Sequence, residues 1–182
     1  MRYRRVKIEG ATYFFTLVTH ERRRLFRDPE NVALLDAAIA RIQARHPFEI
    51  AAYVVLPDHL HAIWQLPPHD TDYSMRWRLI KEAFTKAYLK RHHPPDINAS
   101  RRKKGEQGLW QRRFREHVIR DGKDFSDHVD YIHLNPVRHG LAAAPKTWPY
   151  SSFAAWVARE VYELNWGSGE LPELPAWAKS AE

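Results

Sequence analysis

The spacing of apolar and polar positions changes period several times along the chain, and each change predicts an element. ATYFFTLVTH (11–20) is β-branched and aromatic and predicts a strand, whereas over 29–46 Val32, Leu35, Ile39 and Ile42 fall at helical spacing. FEIAAYVVLP (48–57) and HLHAIWQLP (59–67) predict two further strands, with Pro57-Asp58 supplying the tight turn of an antiparallel hairpin. A second helix is predicted from Ser74, as its cap, to about His92. After a polar, basic stretch at 93–108, LWQRRFREHVIRD (109–121) alternates large apolar with charged residues as a fourth strand, and a third helix begins near Asp124. The order β-α-β-β-α-β, then another helix, predicts an α+β fold: a ferredoxin-like split β-α-β antiparallel sheet with helices on one face, plus a C-terminal helix and extended tail. The other face is expected to stay free for a ligand.

Length and composition narrow the chemistry. At 182 residues one compact domain is expected, drawn here as 1–156, with 157–182 as a C-terminal tail rich in Gly, Pro and Glu. Hydrophobic residues make up 44% and aromatics 13%, which excludes a wholly disordered chain. Without cysteine there is no disulfide framework, thiolate metal site or cysteine nucleophile, so a metal must sit on His, carboxylate, amide or water. No signal-peptide pattern and no uncharged apolar run of membrane-spanning length occurs, so a cytoplasmic protein with no membrane partner is expected. None of the seven glycines forms a phosphate-cradling loop, which argues against nucleotide-driven chemistry.

Charge adds a direction. The net charge is +7, and because residues 140–182 carry a balance of −2, the first 139 carry +9. The basic residues gather at Arg2, Arg4, Arg5 and Lys7, at Arg22, Arg23 and Arg24, and in RRKKGEQGLWQRRFR. There Arg101, Arg102, Lys103, Lys104, Arg112 and Arg113 surround Trp110 and Phe114. Aromatics interleaved with arginine suit base stacking beside phosphate contacts; the plainer reading is a solvated loop leading into a strand with a charged outer face.

Two motifs carry candidate chemistry. In VVLPDHLHAIW, His59 and His61 lie two apart on a strand, so both imidazoles project from one face while Leu60 points to the other. Alone, the pair also reads as two partly exposed histidines. In DFSDHVDYIHLNPVRHGL, Phe125, Val129 and Ile132 form an apolar stripe, and Asp124, Asp127, His128, Tyr131 and Asn135 share a different face. Tyr131 and Asn135, one turn apart, would let the amide reach a metal on the two histidines while the phenol reaches a phosphate. The alternative is a helix-surface tyrosine, with Asn135 ending the helix before Pro136.

PDHLHAIW, LWQRRFREHVIRD and DYIHLNPVRHGL, in that order, resemble the REP-associated tyrosine transposases, a branch of the single-tyrosine HUH transposases. The resemblance runs from about Ala11 to Trp156. It implies a metal-dependent nuclease that cleaves and rejoins single-stranded DNA at REP-type hairpins through a 5′-phosphotyrosine. By that resemblance His59 and His61 are metal ligands, Asn135 a third, amide ligand, and Tyr131 the nucleophile. Mg²⁺ or Mn²⁺ suits this donor set, with Zn²⁺ ranked lower. Arg4, Arg5, the 101–104 run, Arg112 and Arg113 would hold DNA, with Trp110 or Phe114 as stacking platforms. The chain is expected to act as a monomer or a homodimer. A non-catalytic hairpin-binding module and a nuclease in which water attacks are the rival readings.

Overall fold

The computed structural model describes residues 6–180. Four strands, β1 (Thr12–Val18), β2 (Glu49–Val55), β3 (His59–Gln65) and β4 (Arg115–Val118), form one antiparallel sheet in the order β2-β3-β1-β4. Helices α1 (Pro29–Arg45) and α2 (Tyr73–Tyr88) connect them, a short α3 (Ala99–Lys103) precedes β4, and α4 (Gly122–Arg138) and α5 (Phe153–Ala158) follow it. This is the predicted split β-α-β arrangement.

Strand alternation divides the core. Tyr13, Phe15 and Leu17 of β1 and Leu60, Ala62 and Trp64 of β3 face α1 and α2, where Trp64 stacks on Trp77 at 3.9 Å between ring centres. Burying each such large apolar side chain contributes roughly 1.5–3 kcal/mol relative to exposure. The opposite face, expected to be open, is covered. Phe14, Ala52, Val54 and Ile63 pack against Val129, Tyr131 and Ile132 of α4. The C-terminal segment extends that cover: the Trp148 indole N–H donates to the Val55 carbonyl (3.0 Å), the Trp156 indole to that of Ala51 (2.9 Å), and the Tyr162 hydroxyl to Asp130. Both stripes of α4 are buried, because its polar side chains have partners or face the sheet rather than water.

Three local predictions shift. The cap of α2 is Asp72, whose carboxylate accepts from the Met75 N–H (3.0 Å); Ser74 lies inside the first turn, and the helix stops at Tyr88. The fourth strand is shorter than 109–121. Thr19 bridges Trp110 and Thr16 pairs with Arg115, so two more residues run on the 110–115 side than opposite, and the chain bulges through Arg112 and Arg113. Pro136 does not end α4: it sits in the last turn, which the His139 N–H still closes on the Asn135 carbonyl (3.0 Å). No helix among the described residues is long and apolar enough to cross a membrane.

Candidate active site

The β1–β3 register and the start of α4's final two turns bring the sequence motifs together. His59 opens β3 and His61 follows on the same face, toward α4, because Leu60 and Ala62 are committed to the other core. Both imidazoles are buried, and their ring centres are 5.0 Å apart. The Nδ1 of His59 donates to Asp58 Oδ1 (2.6 Å), and Nδ1 of His61 meets Thr16 Oγ1 (3.0 Å). With each Nδ1 taken by an oxygen, Nε2 is the atom each ring presents as a ligand.

From α4, the Tyr131 hydroxyl comes to 3.5 Å of His61 Nε2. Asn135, one turn on, is buried as well. Among the described residues, His59 Nε2 and Asn135 Oδ1 have no hydrogen-bond partner although neither atom reaches solvent. Leaving a buried polar atom unpaired costs about 1–3 kcal/mol. His59 Nε2 belongs to a ring 5.0 Å from that of His61, and Asn135 follows Tyr131 by one turn of α4; two imidazoles and an amide oxygen are a donor set chemically suited to a cation.

The electrostatics suit ligation. Burial, followed by the nearby charges of His59, His139 and Arg22, pushes the His61 proton affinity well below that of free imidazole, so the ring is neutral. Burial would raise the Asp58 carboxyl, but hydrogen bonds from His59 and Arg22 outweigh it and hold the group at about 2. Asp58 therefore stays an anion that orients His59.

Two residues here, Asp58 and Thr16, carry no functional signal in the sequence motifs. Asp58 reads there only as a turn former, and Thr16 only as a strand residue. His139, whose ring centre is 5.4 Å from that of His59, continues the Tyr131–Asn135 face by one further turn, a spacing visible in the sequence. A second cluster joins His117, Asp124 and His128, with their nearest ligand atoms within 4.8 Å of one another. There the Asp124 carboxylate already accepts from the Arg120 backbone and guanidinium (both 3.0 Å) and from His117 (2.8 Å). A cation would have to displace that arginine. Burial works against the Asp124 charge, but these bonds hold its carboxyl well below the usual range. On the other side of His128, Trp177 stacks at 3.9 Å, with its ring centre 5.4 Å from Tyr131.

The expected DNA contacts separate into groups. Arg4 and Arg5 lie outside the described residues. Arg102, Lys103, Lys104, Arg112 and Arg113 are exposed, Arg112 carrying an ion pair to Glu106 (2.7 Å). Arg101 is not a surface cation: its buried guanidinium pairs with Glu106 (2.8 Å). Trp110 is not a stacking platform either, since its ring sits in the core beside Phe26 and Phe84. Phe114 is partly buried against Phe15 and Tyr73. Their apolar surface is worth more inside than at the solvent.

The histidine pair on a central strand and the helical tyrosine and amide lie within the span that a known family matches. The family described as "Transposase IS200 like" matches residues 7–135, a span that includes His59, His61, Tyr131 and Asn135. The chain belongs to this family. It is 41% identical over 174 residues to the REP-associated tyrosine transposase of Escherichia coli (strain K12), covering 96% of this chain and 94% of the relative. Against the putative REP-associated tyrosine transposase of Haemophilus influenzae (strain ATCC 51907 / DSM 11121 / KW20 / Rd) the identity is 41% over 172 residues, covering 94% and 95%. A solved REP-associated tyrosine transposase bound to a REP hairpin superposes with a TM-score of 0.79 at 41% identity, covering 97% of this chain and 96% of that one. As an IS200-like transposase the chain is a tyrosine-nucleophile enzyme on an α+β scaffold. The family is generally metal-dependent.

Proposed function

We propose that this chain cleaves and rejoins single-stranded DNA at REP-type hairpins, with Tyr131 as nucleophile and His59, His61 and Asn135 as ligands for Mg²⁺ or Mn²⁺. The observation that carries the reading is the meeting of the Tyr131 hydroxyl with His61 Nε2 (3.5 Å), with His59 Nε2 and Asn135 Oδ1 both buried and without a hydrogen-bond partner among the described residues. When bound, the ion supplies Lewis-acid polarisation of the phosphate.

Cleavage forms a bond from Tyr131 Oη to the scissile phosphorus and breaks the bond from phosphorus to the 3′-oxygen. The phenolic proton is given up and the 3′-oxygen takes one. The 5′ end stays on the enzyme as a phosphotyrosine, and attack by a 3′-hydroxyl reverses the step and joins strands. The phosphodiester energy is kept in the intermediate, so neither a nucleotide cofactor nor hydrolysis is needed. Tyr131 and both histidines meet within one chain, which supports a site completed in cis. Exposed Arg102, Lys103, Lys104, Arg112 and Arg113, with Arg4 and Arg5, are the proposed phosphate contacts.

The test is a denaturing gel of the full chain with a REP-type hairpin oligonucleotide and Mg²⁺ or Mn²⁺. A covalent protein–DNA band that disappears in Tyr131→Phe and His59→Ala supports the reading. Cleavage that survives Tyr131→Phe points to attack by water, and tight binding without cleavage under every condition points to a hairpin-binding module.

A further inference from the structure

The triple arginine at 22–24 has no role in the proposed cleavage, and its members are placed very differently. Arg23 is turned inward to Glu21 and to the carbonyls of Gly108 and Asp96. Arg22 instead points to the turn that begins the histidine strand, where its Nη1 donates to Asp58 Oδ2 at 3.2 Å. The other oxygen of that carboxylate fixes His59. One carboxylate thus spans a metal ligand and an arginine.

The loop that carries Arg22 is built onto that turn. The Thr19 N–H and hydroxyl both donate to the Asp58 carbonyl (2.9 and 2.8 Å), and the Phe26 N–H donates to the Pro57 carbonyl (2.9 Å). Between these anchors Glu21 and Arg22 adopt φ values of +56° and +49°, a left-handed conformation that two consecutive non-glycine residues hold only at the cost of strain. The side chain of Arg22 is 45% exposed whereas that of His59 is 2% exposed, so the guanidinium reaches from solvent to the edge of the buried ligand pair. Asp58 is its one ion-pair partner among the described residues, and the contact uses one end of a planar fork that can also grip phosphate oxygens.

We propose that Arg22 is a phosphate-binding catalytic residue, presented by Asp58 at the mouth of the His59–His61 site to take a non-bridging oxygen of the scissile phosphodiester. This rests on the hairpin-cleavage reading above. Arg22 makes and breaks no bond; it offsets charge as the Tyr131 oxygen adds and the 3′-oxygen leaves. The simpler role, a brace for Asp58, would act on every substrate alike.

The experiment measures single-turnover adduct formation by the full chain with Mn²⁺ on a REP-type hairpin. The scissile linkage is either a normal phosphodiester or a methylphosphonate, which lacks one non-bridging oxygen and its charge. Arg22→Ala is expected to slow adduct formation on the phosphodiester about 10²-fold, with Arg22→Lys recovering part of the rate. On the methylphosphonate, Arg22→Ala and the unmodified chain should react at similar rates. The calorimetric Mn²⁺ response should be unchanged in Arg22→Ala, and hairpin affinity should fall by no more than the loss of one phosphate contact. Equal slowing on both substrates, an unchanged rate, or loss of the Mn²⁺ response would overturn the assignment. If the unmodified chain forms no adduct at all, the cleavage reading itself fails; adduct formation indifferent to Arg22 removes only this inference.

Discussion

Thr16 and His61 are direct partners across the β1–β3 ladder, and that pairing sets the Thr16 hydroxyl 3.0 Å from Nδ1 of His61. The residue that aims a metal ligand is therefore supplied by backbone register rather than by a loop. Thr16→Val keeps the shape and the strand propensity but removes the oxygen. The expected result is a folded protein whose Mn²⁺ affinity drops about 10–100-fold, measured by calorimetric titration. An unchanged affinity would show that His61 is oriented without Thr16.

Asn135 provides the converse case. Because its Oδ1 has no hydrogen-bond partner among the described residues, Asn135→Ala breaks no hydrogen bond to that oxygen. Thermal unfolding in EDTA should show little change in Tm, while Mn²⁺ affinity falls. Asn135→Asp should do the opposite. A buried carboxylate lowers the metal-free Tm, and saturating Mn²⁺ should raise it by more than in the unmodified chain.

Stability should fall on the acid side of neutrality, by a sign that the buried histidines fix. Burial lowers His133 to about 3 and holds His61 well below its free value, so both are neutral in the folded chain. In the unfolded chain they take up protons below about 6.5. The unfolded state thus binds more protons as pH falls, and the stability they contribute is complete above about 6.5 and is lost as pH falls below it, in the case of His133 on the way toward about 3. Each group contributes a slope approaching about 1.4 kcal/mol per pH unit inside that window. Metal-free denaturation curves between pH 7 and pH 4 should show the decline, and His133→Gln should have a shallower pH dependence.

The basic segment separates surface cations from structural ones. Arg113→Ala is expected to lower the slope of log affinity against log salt by roughly 0.7–0.9, because one DNA phosphate is no longer neutralised, with no change in Tm. Arg101→Ala should instead lower the Tm, because it opens a buried ion pair, leaves Glu106 with the exposed Arg112 alone and removes the donor to the Trp110 carbonyl, at a cost of up to about 3 kcal/mol. A reduced salt slope with unchanged stability in Arg101→Ala would reverse the two roles.

The strands and the two long connecting helices are legible from spacing, and so is the placing of His59 with His61 on one face and of Tyr131 one turn from Asn135; the roles of those four come from the resemblance to the transposases. What is not legible depends on partners distant in sequence. Asp58 looks like any turn aspartate until the 19–26 loop is docked on it. Trp110 looks like a stacking ring until Phe26 and Phe84 close around it. Arg101 reads as part of a cationic run, yet Glu106, five residues on, folds back and buries it. Pro136 reads as a helix stop, but a proline in the last turn leaves that turn's other backbone bonds to hold it. The sheet face expected to be open is closed because α4 has apolar residues on one stripe and buried polar residues on the next, and periodicity alone reports only the first.

The pairing of β1 with β3 turns the sheet into a parity check on the chemistry. A slip of β3 by one residue against β1 would trade the imidazoles for Leu60 and Ala62 and send both ligands into the aromatic core. Such a change fails outright rather than by degrees. The 93–113 stretch carries no such parity and can change in length without altering which face the ligands occupy.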